Sequence, residues 1–179
     1  MQENGFWVFG YGSLLWKPGF AFAEKKQARL NGFRRAFCMY SIHYRGTVAN
    51  PGLVLALDPH DTACCDGVAY RVPAETAAKT LNYLRERELV SSAYYEDTHP
   101  VTLECGTNVD ALCYIVDRDH EQYTGVLSLE TQADMIARSA GSTGPNWEYL
   151  FKTAEHLAAL GIADAEMESL VKMVSQRRA

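Results

Sequence analysis

Phe6-Trp7-Val8-Phe9-Gly10-Tyr11-Gly12-Ser13-Leu14-Leu15-Trp16 is the stretch around which the 179-residue chain is organised. Residues 6–9 are apolar without a break and rich in aromatic and β-branched types, the pattern of a short strand buried on both faces. Gly10 and Gly12 follow, residues that tolerate positive φ and leave backbone N–H groups uncovered. Ser13 adds a hydroxyl that donates or accepts, and Leu14, Leu15 and Trp16 can fasten the far side of the loop into the core. A buried strand ending in such a loop suits a small anionic or carbonyl-bearing ligand held by several N–H donors. An ordinary glycine-containing turn fits these residues equally well, so the stretch alone leaves both readings open. It argues against two others. A dinucleotide-binding fingerprint needs a third glycine where Leu15 stands. No lysine follows a glycine as in a phosphate-binding P-loop, and Ser13 lacks the flanking residues of a nucleophile elbow.

The length fits one domain with a real core, so a single domain over residues 1–179 is expected. Apolar residues make up 47% and charged residues 22%, a globular composition. The formal charge of −5 and the absence of a basic run before Arg177-Arg178 argue against a nucleic-acid partner. Such a chain also lacks a field that would gather anions, so an anionic substrate must be captured by local groups. No stretch has the apolar length of a membrane helix, and Met1-Gln2-Glu3-Asn4 lacks the basic and apolar regions of a signal peptide. A cytoplasmic protein with no membrane partner is expected. Cys38, Cys64, Cys65, Cys105 and Cys113 include no C-x-x-C pair, and the histidines show no H-x-x-x-H spacing. Free core thiols are favoured over metal or disulfide roles, and no metal site is expected.

Residues 28–40 read as paired extended pieces with Asn31-Gly32 as a turn. Residues 41–52 form a long polar loop in which Arg45 is the fixed positive charge. Arg45 fits either a bidentate carboxylate contact or a solvated side chain. Residues 53–57 and 67–72 read as two strands separated by a turn through Asp58-Pro59-His60-Asp61. Pro73 and Glu75 then open a helix to about residue 89.

On that helix Ala77, Leu81 and Leu84 fall on one face, and the next position of the same face is Glu88. Glu86 and Arg87 project away from this stripe. A carboxylate at a core-facing position near a helix C-terminus suffers desolvation and an unfavourable dipole, both of which raise its pKa. Glu88 therefore reads as a poised base. A salt bridge, or a frayed last turn that lets it reach water, is the other reading, and the helix alone does not separate them. Beyond it come a loop over residues 89–93, a hairpin through Gly106-Thr107-Asn108, and three helices capped by Ser128, Asn146 and Asp164. Strands followed by helices indicate an α+β class.

With these residues on the page, the chain resembles the ChaC-type γ-glutamylcyclotransferases, the glutathione-degrading branch of that superfamily. The resemblance lies in Val8 to Leu14 followed by Trp16-Lys17, then Arg45-Gly46, Pro51-Gly52, Gly67-Val68-Ala69-Tyr70-Arg71, Tyr83-Leu84 with Arg87-Glu88, and Gly144 with Asn146, Glu148, Tyr149 and Leu150. It implies an antiparallel, partly closed β-barrel flanked by helices and a cofactor-free release of 5-oxoproline. It puts the catalytic glutamate at Glu88, the residue that amphipathicity also singles out. It puts the substrate cradle at Val8, Phe9, Gly10, Tyr11, Gly12, Ser13 and Leu14, and matches Tyr94 to a tyrosine that follows the glutamate in some members.

The implied substrate is a small molecule, glutathione or a related γ-glutamyl peptide. Its α-amine can close onto its own γ-carbonyl, with Glu88 carrying the proton from the amine to the departing cysteinylglycine. Cyclisation of other γ-glutamyl amino acids or amines is the nearest alternative. A non-catalytic γ-glutamyl-binding module is another, although a pure binder gains little from burying a carboxylate. A redox role for Cys64-Cys65 ranks below these, because adjacent cysteines lack the spacing of redox pairs.

Overall fold

The computed structural model describes residues 5–179; the reading of Met1-Gln2-Glu3-Asn4 as lacking a targeting segment lies outside them. Two compact units emerge, one from the described part of Met1–Arg35 with Leu57–His120, the other from Ala36–Ala56 with Glu121–Ala179.

The strands form a closed barrel, most of whose residues fall in the first unit. Strands β1 (Phe6–Gly10), β2 (Glu24–Ser41), β3 (Gly52–Val72), β4 (Tyr94–Leu103) and β5 (Asn108–Val116) close in the order β1-β3-β2-β4-β5. β1 lies between two partners, antiparallel to β3 from Phe6↔Val72 to Gly10↔Val68 and parallel to β5 through Trp7↔Ala111 and Val8↔Leu112. This is why residues 6–9 carry no polar alternation: a strand paired on both edges and covered on both faces has no wet side. The β4–β5 hairpin pairs in register from Tyr94↔Val116 to Thr102↔Asn108. The barrel closes, and its seams at β1–β5 and at Leu57↔Ile115 between β3 and β5 are parallel contacts, whereas β1–β3, β2–β4 and β4–β5 pair antiparallel.

β2 and β3 are longer than the sequence suggests. Asn31-Gly32 does not reverse the chain: Gly32 takes φ +82° inside an 18-residue strand and kinks it without ending it. Residues 58–61 likewise belong to a continuous 21-residue β3. Asp58, fully buried there, is held by Arg34 (Nε and Nη2 to Oδ2, 2.9 and 2.6 Å) and by Arg118 (Nε to Oδ1, 2.8 Å). Two guanidiniums compensate one desolvated carboxylate, and the strand passes through where a turn was expected.

Helix α1 (Ala74–Glu88) follows Pro73, whose φ of −71° suits a helix start; of the expected face Ala77 and Leu84 are buried, while Leu81 is only half-buried and Thr80 is buried in its place. It ends at Glu88 because Leu89 leaves helical geometry and Ser92 adopts φ +56°.

The second unit carries α2 (Leu129–Arg138), α3 (Asn146–Ala159) and α4 (Ala165–Arg178), with a two-residue pairing of β6 (Ala140–Gly141) and β7 (Gly144–Pro145). Ser128 and Asp164 cap α2 and α4 as expected, accepting from Thr131 N and Met167 N. Asn146 does not cap α3. It is the first helical residue, and its fully buried side chain accepts from Leu53 N at 2.8 Å and donates to Leu53 O at 2.7 Å, completing the hydrogen bonds of a strand residue. Tyr149 accepts from Leu55 N at 3.3 Å.

Candidate active site

Within the barrel unit, the apolar cluster formed by Val8, Leu14, Val72, Leu84 and Tyr114 has Tyr83, Leu89 and Tyr94 packed against it. It joins three expected site residues, Val8, Leu14 and Tyr94, to the turns of α1 that flank Glu88. Phe9 lies outside it. Its ring stacks with Tyr11, centroids 6.5 Å apart, and sits against Gly67. Phe9 thus shapes the loop's support from the opposite face of β1, as strand alternation requires.

Gly10 and Gly12 tolerate positive φ, but neither adopts it. Gly10 is needed for room, since a Cβ there would stand 3.1 Å from Leu14 Cβ and 3.3 Å from the ring of Tyr70. Gly67 is tighter still: a Cβ on it would fall 2.4 Å from the Gly10 carbonyl oxygen. After Gly12 the chain turns through a 3-10 segment, Ser13–Leu15. Its ladder uses the N–H groups of Leu15, Trp16 and Lys17, whereas those of Gly12, Ser13 and Leu14 donate to no backbone carbonyl among the described residues. That is the usual condition of the first N–H groups of a helical turn, and it leaves donors for an anion or carbonyl.

Two tyrosines lock the loop to the barrel. Tyr11 donates its hydroxyl to Tyr114 O at 2.9 Å, and Tyr70 donates to Leu14 O at 2.8 Å. Burial pushes the Tyr70 phenol up to about 12, so it stays a donor across the physiological range.

Glu88 occupies the last position of α1 with 17% of its side chain exposed. Burial raises its pKa, and the charge and hydrogen bond of Arg87, whose Nε lies 3.1 Å from Oε1, oppose that rise without cancelling it. Glu88 is thus salt-bridged and still harder to ionise than an exposed glutamate.

Arg87 does not project away as the helical wheel suggested. Its Nη2 donates to Ser13 Oγ at 2.7 Å, and its Nη1 donates to Lys17 O at 2.6 Å, Pro18 O at 3.1 Å and Tyr83 OH at 3.0 Å. One guanidinium therefore ties the end of the helix to the glycine loop. Tyr83 and Arg87 are four apart and share a helix side, a signal outweighed by the preference of arginine for solvent.

Arg45 belongs to the second unit and is neither solvated nor presented bidentately. It is 6% exposed, donates from Nη1 to Pro145 O at 3.1 Å, and meets Glu148 Oε2 at 3.4 Å. Among the cysteines, Cys38, Cys65 and Cys113 are buried, Cys64 and Cys105 exposed, and all five are free thiols.

Fold and site together define an α+β barrel protein with a partly buried carboxylate beside a glycine loop that carries unspent backbone donors. The chain belongs to the ChaC-like protein family, whose profile matches residues 6–177. It is 36% identical over 175 residues to the glutathione-specific gamma-glutamylcyclotransferase of Escherichia coli (strain K12), covering 98% of this chain and 75% of that protein. It is 38% identical over 159 residues to glutathione-specific gamma-glutamylcyclotransferase 1 of Danio rerio, covering 87% and 80%. The fold superposes on the crystal structure of a yeast γ-glutamyl cyclotransferase specific to glutathione with a TM-score of 0.89 at 29% identity, covering 98% and 97% of the two chains. Among the described residues no helix is long and apolar enough to cross a membrane.

Proposed function

We propose that this chain is a γ-glutamylcyclotransferase that cleaves glutathione to 5-oxoproline and cysteinylglycine, with Glu88 as general acid and base. The observation that carries the reading is the largely buried Glu88 paired with Arg87, which itself holds Ser13 of the glycine loop, in a chain whose relatives bear that activity in their names. The α-ammonium of the γ-glutamyl group must lose a proton before it can attack. A carboxylate of elevated pKa accepts that proton near neutrality and returns it to the departing amine. The amine nitrogen bonds to the carbonyl carbon of the γ-glutamyl amide, the carbonyl oxygen takes up the electron pair, and collapse breaks the amide C–N bond and expels cysteinylglycine.

The cradle is Val8, Phe9, Gly10, Tyr11, Gly12, Ser13 and Leu14 with Tyr94 beside it. Val8, Phe9 and Leu14 act as packed walls, and the N–H groups of Gly12, Ser13 and Leu14 as donors. Holding the glutamyl chain curled supplies much of the acceleration, since orientation is worth up to about 7–11 kcal/mol in favourable intramolecular reactions. The chain acts as one domain over residues 1–179, a reading supported by the span of the family match. Five free thiols and a formal charge of −5 support a cytoplasmic enzyme that uses no nucleic acid.

The test is incubation of wild type and Glu88→Gln with reduced glutathione in metal-free buffer, following 5-oxoproline and cysteinylglycine by mass spectrometry. Both products from wild type, and their loss in a folded variant, are expected. Turnover confined to γ-glutamyl amino acids or amines would move the substrate to the alternative class. Binding without turnover would leave a γ-glutamyl-binding module.

A further inference from the structure

We propose that the hydroxyl of Tyr114 is the donor that binds the γ-carbonyl oxygen of the substrate and holds its negative charge in the tetrahedral intermediate. The proposal rests on the γ-glutamyl reading above and assigns a catalytic residue that neither the glycine loop nor Glu88 supplies.

Tyr114 is 1% exposed, and its hydroxyl finds no hydrogen-bond partner among the described residues. Buried polar groups are nearly always paired, and one left unpaired calls for an explanation. Here the surroundings point to a ligand. Tyr114 packs in one cluster with Val8 and Leu14, which bracket the glycine loop, and with Leu84, one helical turn before Glu88. Its own carbonyl accepts the Tyr11 hydroxyl, so the loop is anchored to this residue. Across the strand pair it stands opposite Glu96, whose carboxylate is engaged by Arg85 through Nε at 2.9 and 3.0 Å and through Nη2. Tyr114 thus packs with the flanks of the loop and the end of α1, and its hydroxyl lies close to the Glu96 carboxylate without making a hydrogen bond among the described residues.

The charges around it indicate which substrate oxygen it serves. Burial and the carboxylates of Glu96 and Glu88 push the Tyr114 phenol above its ordinary range, which keeps it a protonated donor. A spot facing two carboxylates is a poor seat for the permanent charge of the glutamyl α-carboxylate. The loop, where Arg87 donates to Ser13, is the better seat for that group. The γ-carbonyl oxygen is neutral in the ground state and charged only after the amine attacks, when Glu88 has taken up the amine's proton and Glu96 is held by Arg85, so it suits the Tyr114 site. A donor that strengthens its bond as charge develops accelerates the reaction without tightening substrate binding. Glu88 moves the proton from amine to leaving group, and Tyr114 keeps its own throughout.

Wild type, Tyr114→Phe and Glu88→Gln are compared by 5-oxoproline release from glutathione, together with thermal unfolding. Removing one oxyanion donor lowers kcat about 100-fold, and KM should change little. Because the hydroxyl has no protein partner, its removal should leave Tm unchanged or raise it. A Phe variant with undiminished kcat, one impaired only in KM, or one that melts below wild type would each overturn the proposal. Wild-type turnover alongside an undiminished Phe variant overturns this inference alone. Absence of 5-oxoproline from wild type, with glutathione and with a panel of γ-glutamyl amino acids, overturns the γ-glutamyl reading and this inference with it.

Discussion

Arg87 donates to the Ser13 hydroxyl at 2.7 Å, across 74 positions of sequence, while the same guanidinium pairs with Glu88. The residue that tempers the acid thus also holds the loop in place. Arg87→Lys keeps a charge but loses the planar fork that reaches Ser13, Lys17, Pro18 and Tyr83 together. Its loss should cost about 1.5–3 kcal/mol in urea unfolding, the range for hydrogen bonds to charged groups. Arg87→Met removes the charge as well. Because Arg87 lowers the pKa of Glu88, the acid limb of the kcat/KM profile should then move to higher pH. A limb that stays in place would show that Glu88 does not govern it.

Glu88 should have opposite effects on activity and stability. Glu88→Gln is expected to lose about 10²–10⁴-fold in turnover, the usual worth of a general acid–base group. A carboxyl whose folded pKa is raised binds its proton more tightly when folded. It therefore costs nothing below its unfolded pKa of about 4.3, and its cost grows as pH rises toward the folded value. Glu88→Gln should melt above wild type at pH 8, and the gap should close below pH about 4. Equal melting temperatures at both pH values would contradict the burial assigned to this group.

Gly67→Ala puts a methyl group 2.4 Å from the Gly10 carbonyl oxygen, where β3 passes the start of the loop. Backbone cannot yield as a flexible side chain does. A loss of about 1–3 kcal/mol is expected, and the displaced loop should lower kcat as well. Chemical denaturation and glutathione turnover measure the two effects.

Asn146→Ala in the second unit leaves Leu53 N and O both unpaired in a buried setting. Two orphaned backbone groups should cost about 2–4 kcal/mol. Asn146→Asp restores the acceptor for Leu53 N but cannot donate when ionised, so it should recover little stability near neutral pH and more at low pH. Urea titrations at two pH values separate these cases.

Much of this arrangement was legible from local pattern. The unbroken apolar run at residues 6–9 announced a doubly covered strand, and β1 has pairing partners on both sides. The spacing of Ala77, Leu81, Leu84 and Glu88 put a carboxylate on a core-facing stripe, and Glu88 is largely buried although Leu81 is only half-buried. Ser128 and Asp164 announced their helices. Asn31-Gly32 and Asp58-Pro59 misled, because turn residues also serve as kinks in long strands when distant partners hold the ladder, as Arg34 and Arg118 do at Asp58.

The sequence by itself determined that a buried strand opens the barrel and a glycine loop follows it, that helices follow Pro73, Ser128 and Asp164, and that a glutamate ends an apolar helix face. These are properties of neighbouring residues, set by side-chain period and backbone freedom. Only the tertiary structure decided that Arg87 turns inward to Ser13, that Asn146 completes the bonds of Leu53, and that Tyr114 is left with a buried proton and no acceptor. Whether a polar group is satisfied depends on what folding brings opposite it from tens of residues away, and no local period carries that information.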